Sequence, residues 1–212
     1  MIKIYSIEMK NIGKSYGDKV ILKDFDLKVR KGVFLGIKGE SGKGKTTLLN
    51  IIGTLESYEG EYKLNGEYVD FEDKKKKRKY LKDDIGYLFQ NYALIDDLTV
   101  FDNLVIVLDK KDKQNEKDLL DNVLKKVGLD SGYLDKKIYT CSGGEQQRIA
   151  IARLMLKDCN IILADEPTGS LDDKNKEIVM NLICDLNREG KTVIMVSHDD
   201  EALSYCSDLM AL

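Results

Sequence analysis

The sequence has no tryptophan, one proline (Pro167), one histidine (His198) and four cysteines. Cys141, Cys159, Cys184 and Cys206 are scattered and form no C-x-x-C pair, which argues against a zinc site and against a secreted disulfide framework. No stretch approaches the ~18 apolar residues that a membrane-spanning helix needs. Residues 1–5 lack a long apolar run, so no signal peptide is expected. Positive charge is not in excess either: 34 Lys and Arg face 37 Asp and Glu, for a net charge of −3. A general basic surface for nucleic acid is therefore disfavoured, and no nucleic-acid partner is expected. From these absences a cytoplasmic chain is expected. If it serves a membrane process, another chain must cross the bilayer.

What is present suits a globular α/β domain. The chain has 212 residues, 42% hydrophobic and 33% charged, enough to bury a core without disulfides or metals. Weak alternation from Ile2 to Met9, and residues 20–29, read as strands. Residues 33–38 form a short apolar strand that runs into a Gly-rich loop, and 46–52 look helical. Residues 61–64 and 67–69 flank Asn65-Gly66, a strong hairpin signal. The basic run 74–79 reads as a solvated face. Residues 85–89 are a further strand. Helical periodicity covers 100–108, 117–127 and 146–156, with a polar linker at 109–116. Residues 160–164 and 192–197 suit buried parallel strands on either side of an amphipathic helix at 174–188. Strand–helix–strand repetition predicts a mostly parallel sheet, with the helix-rich middle inserted into it.

Two motifs carry chemistry. Gly39, Glu40, Ser41, Gly42, Lys43, Gly44, Lys45 and Thr46 fit G-x-x-x-x-G-K-[ST] between a strand and a helix. Glycines let the backbone point successive N–H groups at phosphate oxygens, and the helix N-terminus adds favourable potential. Lys45 brings charge to the β- and γ-phosphates, and the Thr46 hydroxyl is a hard ligand for Mg²⁺. Lys43 is expected to point to water. The second motif is Asp165-Glu166, two carboxylates at the end of an apolar strand, where a parallel sheet opens its ligand crevice. Asp165 suits holding Mg²⁺, and Glu166 suits polarising the water that attacks the γ-phosphate.

The segment Cys141-Ser142-Gly143-Gly144-Glu145-Gln146, followed by Gln147-Arg148-Ile149-Ala150-Ile151-Ala152-Arg153, resembles the signature of the ABC ATPase family. The resemblance runs over nearly the whole chain. It implies a P-loop NTPase (RecA-like) α/β core with a mostly parallel sheet, an N-terminal antiparallel β-subdomain and an inserted α-helical subdomain. The implied division is 1–89 and 158–212 for the ATP-binding core with its β-subdomain, and 90–157 for the helical part. Ser142, Gly143 and Gly144 begin a helix and would offer N–H groups and a hydroxyl to an anion. Cys141 stands where Leu is usual and is expected to pack. By position, Tyr16 resembles the ring that stacks on adenine. Thr47 continues the phosphate loop, and Gln90 looks like the glutamine that reaches Mg²⁺ and the attacking water. Residues 170–172 are similar to the D-loop, and His198 to the switch histidine at the γ-phosphate.

Residues 166–172 resemble the macrolide-export and lipoprotein-release branch, and 85–97 resemble ATPases of lactococcin-type bacteriocin exporters. The cofactors implied are ATP and Mg²⁺. The partners implied are a second copy, joined head to tail when ATP is bound, and a separate transmembrane permease that holds the pair on the inner face of the membrane. Export of a peptide, bacteriocin or similar substrate is the expected role. The alternatives are a soluble ABC ATPase in cluster assembly, mechanical coupling to an envelope complex, or a non-catalytic nucleotide sensor. Glu166 and His198 argue against the last.

Overall fold

The computed structural model describes residues 5–40, 42–109 and 115–212. The alternation expected over Ile2–Ile4, Ser41 of the Gly-rich loop and most of the polar linker at 109–116 lie outside those residues.

Two sheets form the frame. The antiparallel sheet contains β1 (Tyr5–Tyr16), β2 (Lys19–Arg30), β4 (Glu59–Leu64) and β5 (Glu67–Tyr68), in the order β2-β1-β4-β5. Asn65 and Gly66 join its last two strands, both with positive φ (51° and 86°), as a two-residue turn between twisted strands requires. The second sheet is parallel at every pairing. It contains β3 (Phe34–Lys38), β6 (Ile85–Leu88), β7 (Ile161–Asp165), β8 (Thr192–Ser197) and β9 (Asp208–Ala211), in the order β6-β7-β8-β3-β9.

The apolar strands are buried on both faces, and their side chains divide with period two. Ile161 and Leu163 pack with α1 (Lys45–Ile52) and the antiparallel sheet in one cluster. Ile162 and Ala164 face the opposite way, into a cluster with the helices. Those helices are α3 (Val100–Val105), α4 (Glu116–Lys126), α5 (Gly143–Leu156), α6 (Asp173–Arg188) and α7 (Asp200–Leu203). On α6, Val179, Met180, Ile183 and Leu186 are buried at the i, i+1, i+4, i+7 spacing of one helix face. Each such side chain contributes about 1.5–3 kcal/mol by leaving water. The segment 90–157 shares this cluster with strand residues Leu88, Val193 and Met195 and so leans on the sheet directly.

The basic run forms α2 (Lys74–Lys79), capped by the Asp73 carboxylate, which accepts from the N–H groups of Lys75 and Lys76; none of its residues is buried. Among the elements that no sequence pattern marks are α7 and the edge strand β9. The strand Asp208-Leu209-Met210-Ala211 has no β-branched residue, and it exists through its ladder with Leu35–Lys38. Because the second sheet is parallel, its strands end on one side. Gly39, Glu166 and His198 each directly follow a strand, and Gln90 comes two residues after β6.

Candidate functional site

The loop after β3 is built by glycines in conformations that side chains avoid. Gly42 and Gly44 have φ of 78° and 93°. Gly44 caps α1, and a Cβ there would stand 2.5 Å from Ile21 Cγ2. Gly39 passes close to the last residue of the chain, with a hypothetical Cβ 3.0 Å from the Leu212 carbonyl. Lys45 is buried, and its ammonium donates to the carbonyls of Gly39 (2.7 Å) and Glu40 (3.0 Å). The arm thus folds back along its own loop. Lys43 points to water as expected, 59% exposed and 3.8 Å from the Glu40 carboxylate.

Around this loop lies a cleft of about 570 Å³, lined by Ile21, Gly42, Gly44, Lys45, Thr46, Thr47, Gln90, Asp165, Glu166 and His198. The Thr46 hydroxyl donates to Asp165 Oδ1 at 3.3 Å. Burial pushes the Asp165 carboxyl above its ordinary range; the Thr46 hydroxyl opposes this, Glu166 adds to it, and Lys45 opposes it again.

Glu166 sits at φ 45°, a left-handed conformation rare for a residue with a side chain. That turn takes it off the strand direction, so its carboxylate lies beside β8 instead of pointing away from Asp165. Its Oε1 is 2.8 Å from His198 Nδ1, and its Oε2 accepts from the Ser197 hydroxyl at 3.3 Å. Its N–H bonds the Val196 carbonyl, and its own carbonyl accepts from Gly169, closing the turn through Pro167. His198 is open to solvent, while Glu166 is largely covered.

The remaining sequence-predicted residues stand elsewhere. Tyr16 does not line the cleft. It is half exposed near the end of the hairpin that delivers Ile21, with the Lys14 ammonium 4.9 Å above its ring. Ser142 belongs to a separate groove of about 570 Å³, with Lys126, Glu145, Arg148, Lys174 and Asn175. Ser142 caps α5 by accepting from the Glu145 N–H, and the Glu145 carboxylate accepts from the Ser142 N–H at 2.7 Å. This capping box uses the Ser142 N–H as donor and its hydroxyl oxygen as acceptor, and leaves the hydroxyl proton to donate. Gly144 is pressed against α6: a Cβ would lie 2.6 Å from the Asn175 side chain. Cys141 packs, as expected, into the helical cluster.

Sequence reasoning missed Ile21, the apolar wall against Gly44, and Ser197, which holds Glu166. Ile21 gave no signal, because a strand isoleucine has no chemistry of its own. Ser197 stands next to His198, and in the sequence it is only the end of an apolar strand.

A glycine-rich loop between strand and helix, facing carboxylates at the end of a parallel strand one removed in the same sheet, defines a P-loop nucleotide-binding domain. Comparison with known proteins narrows that class. Residues 22–169 match the family model described as ABC transporter. The chain is 38% identical over 213 residues to an uncharacterized ABC transporter ATP-binding protein of Methanocaldococcus jannaschii, covering 97% of this chain and 95% of that protein. It is 38% identical over 215 residues to the lipoprotein-releasing system ATP-binding protein LolD of Francisella tularensis, covering 97% and 93%. A solved dimeric ABC transporter cassette superimposes with a TM-score of 0.85 at 36% identity, over 97% of this chain and 94% of that one. The same cassette is known bound to ADP and Pi, with a TM-score of 0.85 at 35% identity over the same shares of the two chains. The chain belongs to the ABC transporter family, as one of its ATP-binding, ATP-hydrolysing subunits.

Proposed function

We propose that this subunit works as a head-to-tail pair on a separate membrane permease, coupling Mg-ATP binding and hydrolysis to export of a peptide, bacteriocin or similar substrate. The observation that carries the pairing is the split of site residues between two clefts of one chain. The phosphate loop, Gln90, Asp165, Glu166 and His198 line one. Ser142 lines the other. A second copy, turned round, brings its α5 N-terminus to the γ-phosphate held by the first.

Within the phosphate cleft the geometry supports one set of roles. Lys45, held at the loop, neutralises the β- and γ-phosphates, and the N–H groups of the loop and of Thr47 complete the cradle. Glu166 polarises the attacking water, with His198 and Ser197 fixing its two oxygens. His198, on the open side, reaches the γ-phosphate. Gln90, entering from β6, orients the water. Tyr16, near the end of the hairpin that delivers Ile21, supplies the ring for adenine. Thr46 Oγ1, Asp165 and the Gln90 amide oxygen are hard donors, a set that fits Mg²⁺. When bound there, the cation would neutralise phosphate charge.

The names of two relatives motivate the transport role: LolD is a lipoprotein-releasing ATP-binding protein, and MacB of Shewanella is a macrolide export ATP-binding/permease protein. Light scattering of Glu166→Gln with and without Mg-ATP tests the pairing. We expect a dimer with nucleotide and a monomer or weak dimer without it, and Ser142→Arg should abolish the dimer while sparing ATP binding. A lasting monomer with ATP bound, in the presence of the permease, would refute the paired site.

A further inference from the structure

The segment that follows Gln90 is strained, and one side chain of α5 holds it. Tyr92 and Ala93 have φ of 63° and 47°, consecutive left-handed residues with no glycine between them. The Tyr92 N–H bonds the Phe89 carbonyl at 3.0 Å, and the Ala93 N–H bonds the Asn91 carbonyl at 2.7 Å. The second of these bonds, with positive φ at Tyr92, is the three-residue turn of the rarer, strained hand.

The flanks of this turn are fixed independently. Upstream, the rings of Tyr87 and Phe89 stack at 3.9 Å. Downstream, the fully buried Asn103 side chain accepts from the Ile95 N–H at 2.8 Å and donates to the Ile95 carbonyl at 3.1 Å. Between them, the Arg153 guanidinium donates to both strained residues, at 2.7 Å to the Ala93 carbonyl and at 3.0 Å to the Tyr92 carbonyl. A planar fork matched to two adjacent carbonyls is geometry that a lysine ammonium cannot copy.

The same turn touches the other end of α5. A Cβ placed on Gly143 would lie 3.1 Å from the Tyr92 hydroxyl. Gly143 and Arg153 are ten residues apart, roughly 15 Å along the helix. Tyr92 and the Arg153 side chain cover that length together: the Tyr92 ring reaches toward Gly143 while its carbonyl meets the guanidinium at the end of the Arg153 arm. The residue two positions after Gln90 thereby lies against the start of the helix that begins at the signature and is hydrogen-bonded near its end.

We infer that Arg153 is a positioning residue for ATP hydrolysis, setting through the strained Tyr92–Ala93 turn both Gln90 in the phosphate cleft and the start of α5. This rests on the reading of Gln90 and the signature given above. Without the guanidinium the two carbonyls lose their common donor, and the turn relaxes toward conformations that side chains prefer. Lys45 and the loop that binds ATP are untouched by that relaxation.

The test measures kcat, KM and the ATP dissociation constant for the wild type, Arg153→Ala and Arg153→Lys, with kcat normalised to ATP-binding sites. Arg153→Ala should lose at least tenfold in kcat while KM and ATP affinity stay within about twofold. Arg153→Lys should fall between the two, because one ammonium replaces part of the fork. Adding Ala93→Gly to Arg153→Ala should recover several-fold of the lost kcat, since glycine adopts the left-handed turn unaided; a loss of general packing would not be repaired this way. A kcat within twofold of wild type in Arg153→Ala, with Glu166→Gln inactive alongside, overturns the inference. So does a drop in ATP affinity as large as the drop in kcat. If Arg153→Ala does not fold, Arg153→Lys decides by the same split: kcat lowered at least threefold with KM unchanged supports the role, and wild-type kcat overturns it. Full hydrolysis by Glu166→Gln would instead locate the failure in the reading of the cleft.

Discussion

Replacing Gly44 by Ala separates two costs that the phosphate loop avoids by using glycine. The first is conformational. Gly44 has φ 93° and ψ 11°, and a left-handed residue with a Cβ costs about 1–2 kcal/mol. The second is steric. The new Cβ would sit 2.5 Å from Ile21 Cγ2, and forcing an extra methyl into a packed contact costs about 1–3 kcal/mol. The sum, about 2–5 kcal/mol, divides between fold stability and nucleotide binding. Expressed wholly in binding, it would weaken ATP affinity by roughly 30-fold to several thousand-fold. Gly42→Ala is the internal control: its φ is 78°, but nothing stands within 4 Å of a Cβ, so only the conformational share of about 1–2 kcal/mol applies. Ile21 supplies the second control. Ile21→Ala removes Cγ2 and should return the steric share to Gly44→Ala, whereas Ile21→Val keeps a methyl at that place and should return little. Titration with a fluorescent ATP analogue, together with thermal melts, reads both shares. Near-wild-type ATP affinity and melting temperature in Gly44→Ala would refute the reasoning, and equal rescue by Ile21→Val would show that the contact at Cγ2 is not the obstacle.

Three further outcomes are expected. Lys45→Ala should abolish tight ATP binding, because the buried anion site loses its compensating charge; isothermal titration checks it, and unchanged affinity would remove the loop's assignment. Glu166→Gln keeps the shape and both side-chain contacts but not the charge, and should slow single-turnover hydrolysis by roughly 10²–10⁴ while sparing ATP binding. Asp165 titrates above its ordinary range, chiefly through burial, so the folded state holds its proton at pH values where the unfolded chain has released it. Its contribution therefore favours folding at low pH and is lost as pH rises through the folded pKa. In the absence of divalent cation, Asp165→Asn should raise the melting temperature at neutral pH, and do so less below the ordinary carboxylate range; a pH-independent gain would contradict that cause.

Legibility in the sequence followed the locality of the cause. The hairpin at Asn65-Gly66 was visible because its two positive φ angles are a local demand that those residues meet. The strand β8 stands where its apolar run stands, since burial on both faces leaves no alternation to misread. The glycine-rich loop was legible for the same reason as the hairpin. What stayed hidden depends on distant neighbours. Gly36 is required because a Cβ would come within 2.8–2.9 Å of Cys206, Leu209 and Leu203, contacts that appear only once β9 lies beside β3. The left-handed Glu166, Tyr92 and Ala93 carry no glycine to announce them, and their conformations are imposed by bonds to Val196, Phe89 and Arg153. In the candidate site, most residues that line the phosphate cleft belong to local motifs and could be named one by one. The division into two clefts was visible only as far as the helical insert carries the signature away from the strand ends.

That division bears on whether one chain could close its own site. The start of α5 is bound to the loop that follows Glu166 by contacts within the protein. The Gln147 amide, almost fully buried, donates to the Pro167 carbonyl at 2.6 Å, and Arg148 donates to Asn175 at 2.8 Å. Asn175 in turn donates, through its own N–H and its side-chain amide, to the Asp172 carboxylate that caps α6. Folding the signature over onto the phosphate loop of its own chain would mean breaking this chain of bonds. Leaving a buried amide or guanidinium without a partner costs about 1–3 kcal/mol for each group, and more where charge is involved. It would also strip Gly144 from the close contact with Asn175 that only a glycine permits. A second copy meets the phosphate cleft without breaking any of these. On the paired reading, the bonds that keep the two clefts apart within one chain also hold the signature rigid as it is presented to the other.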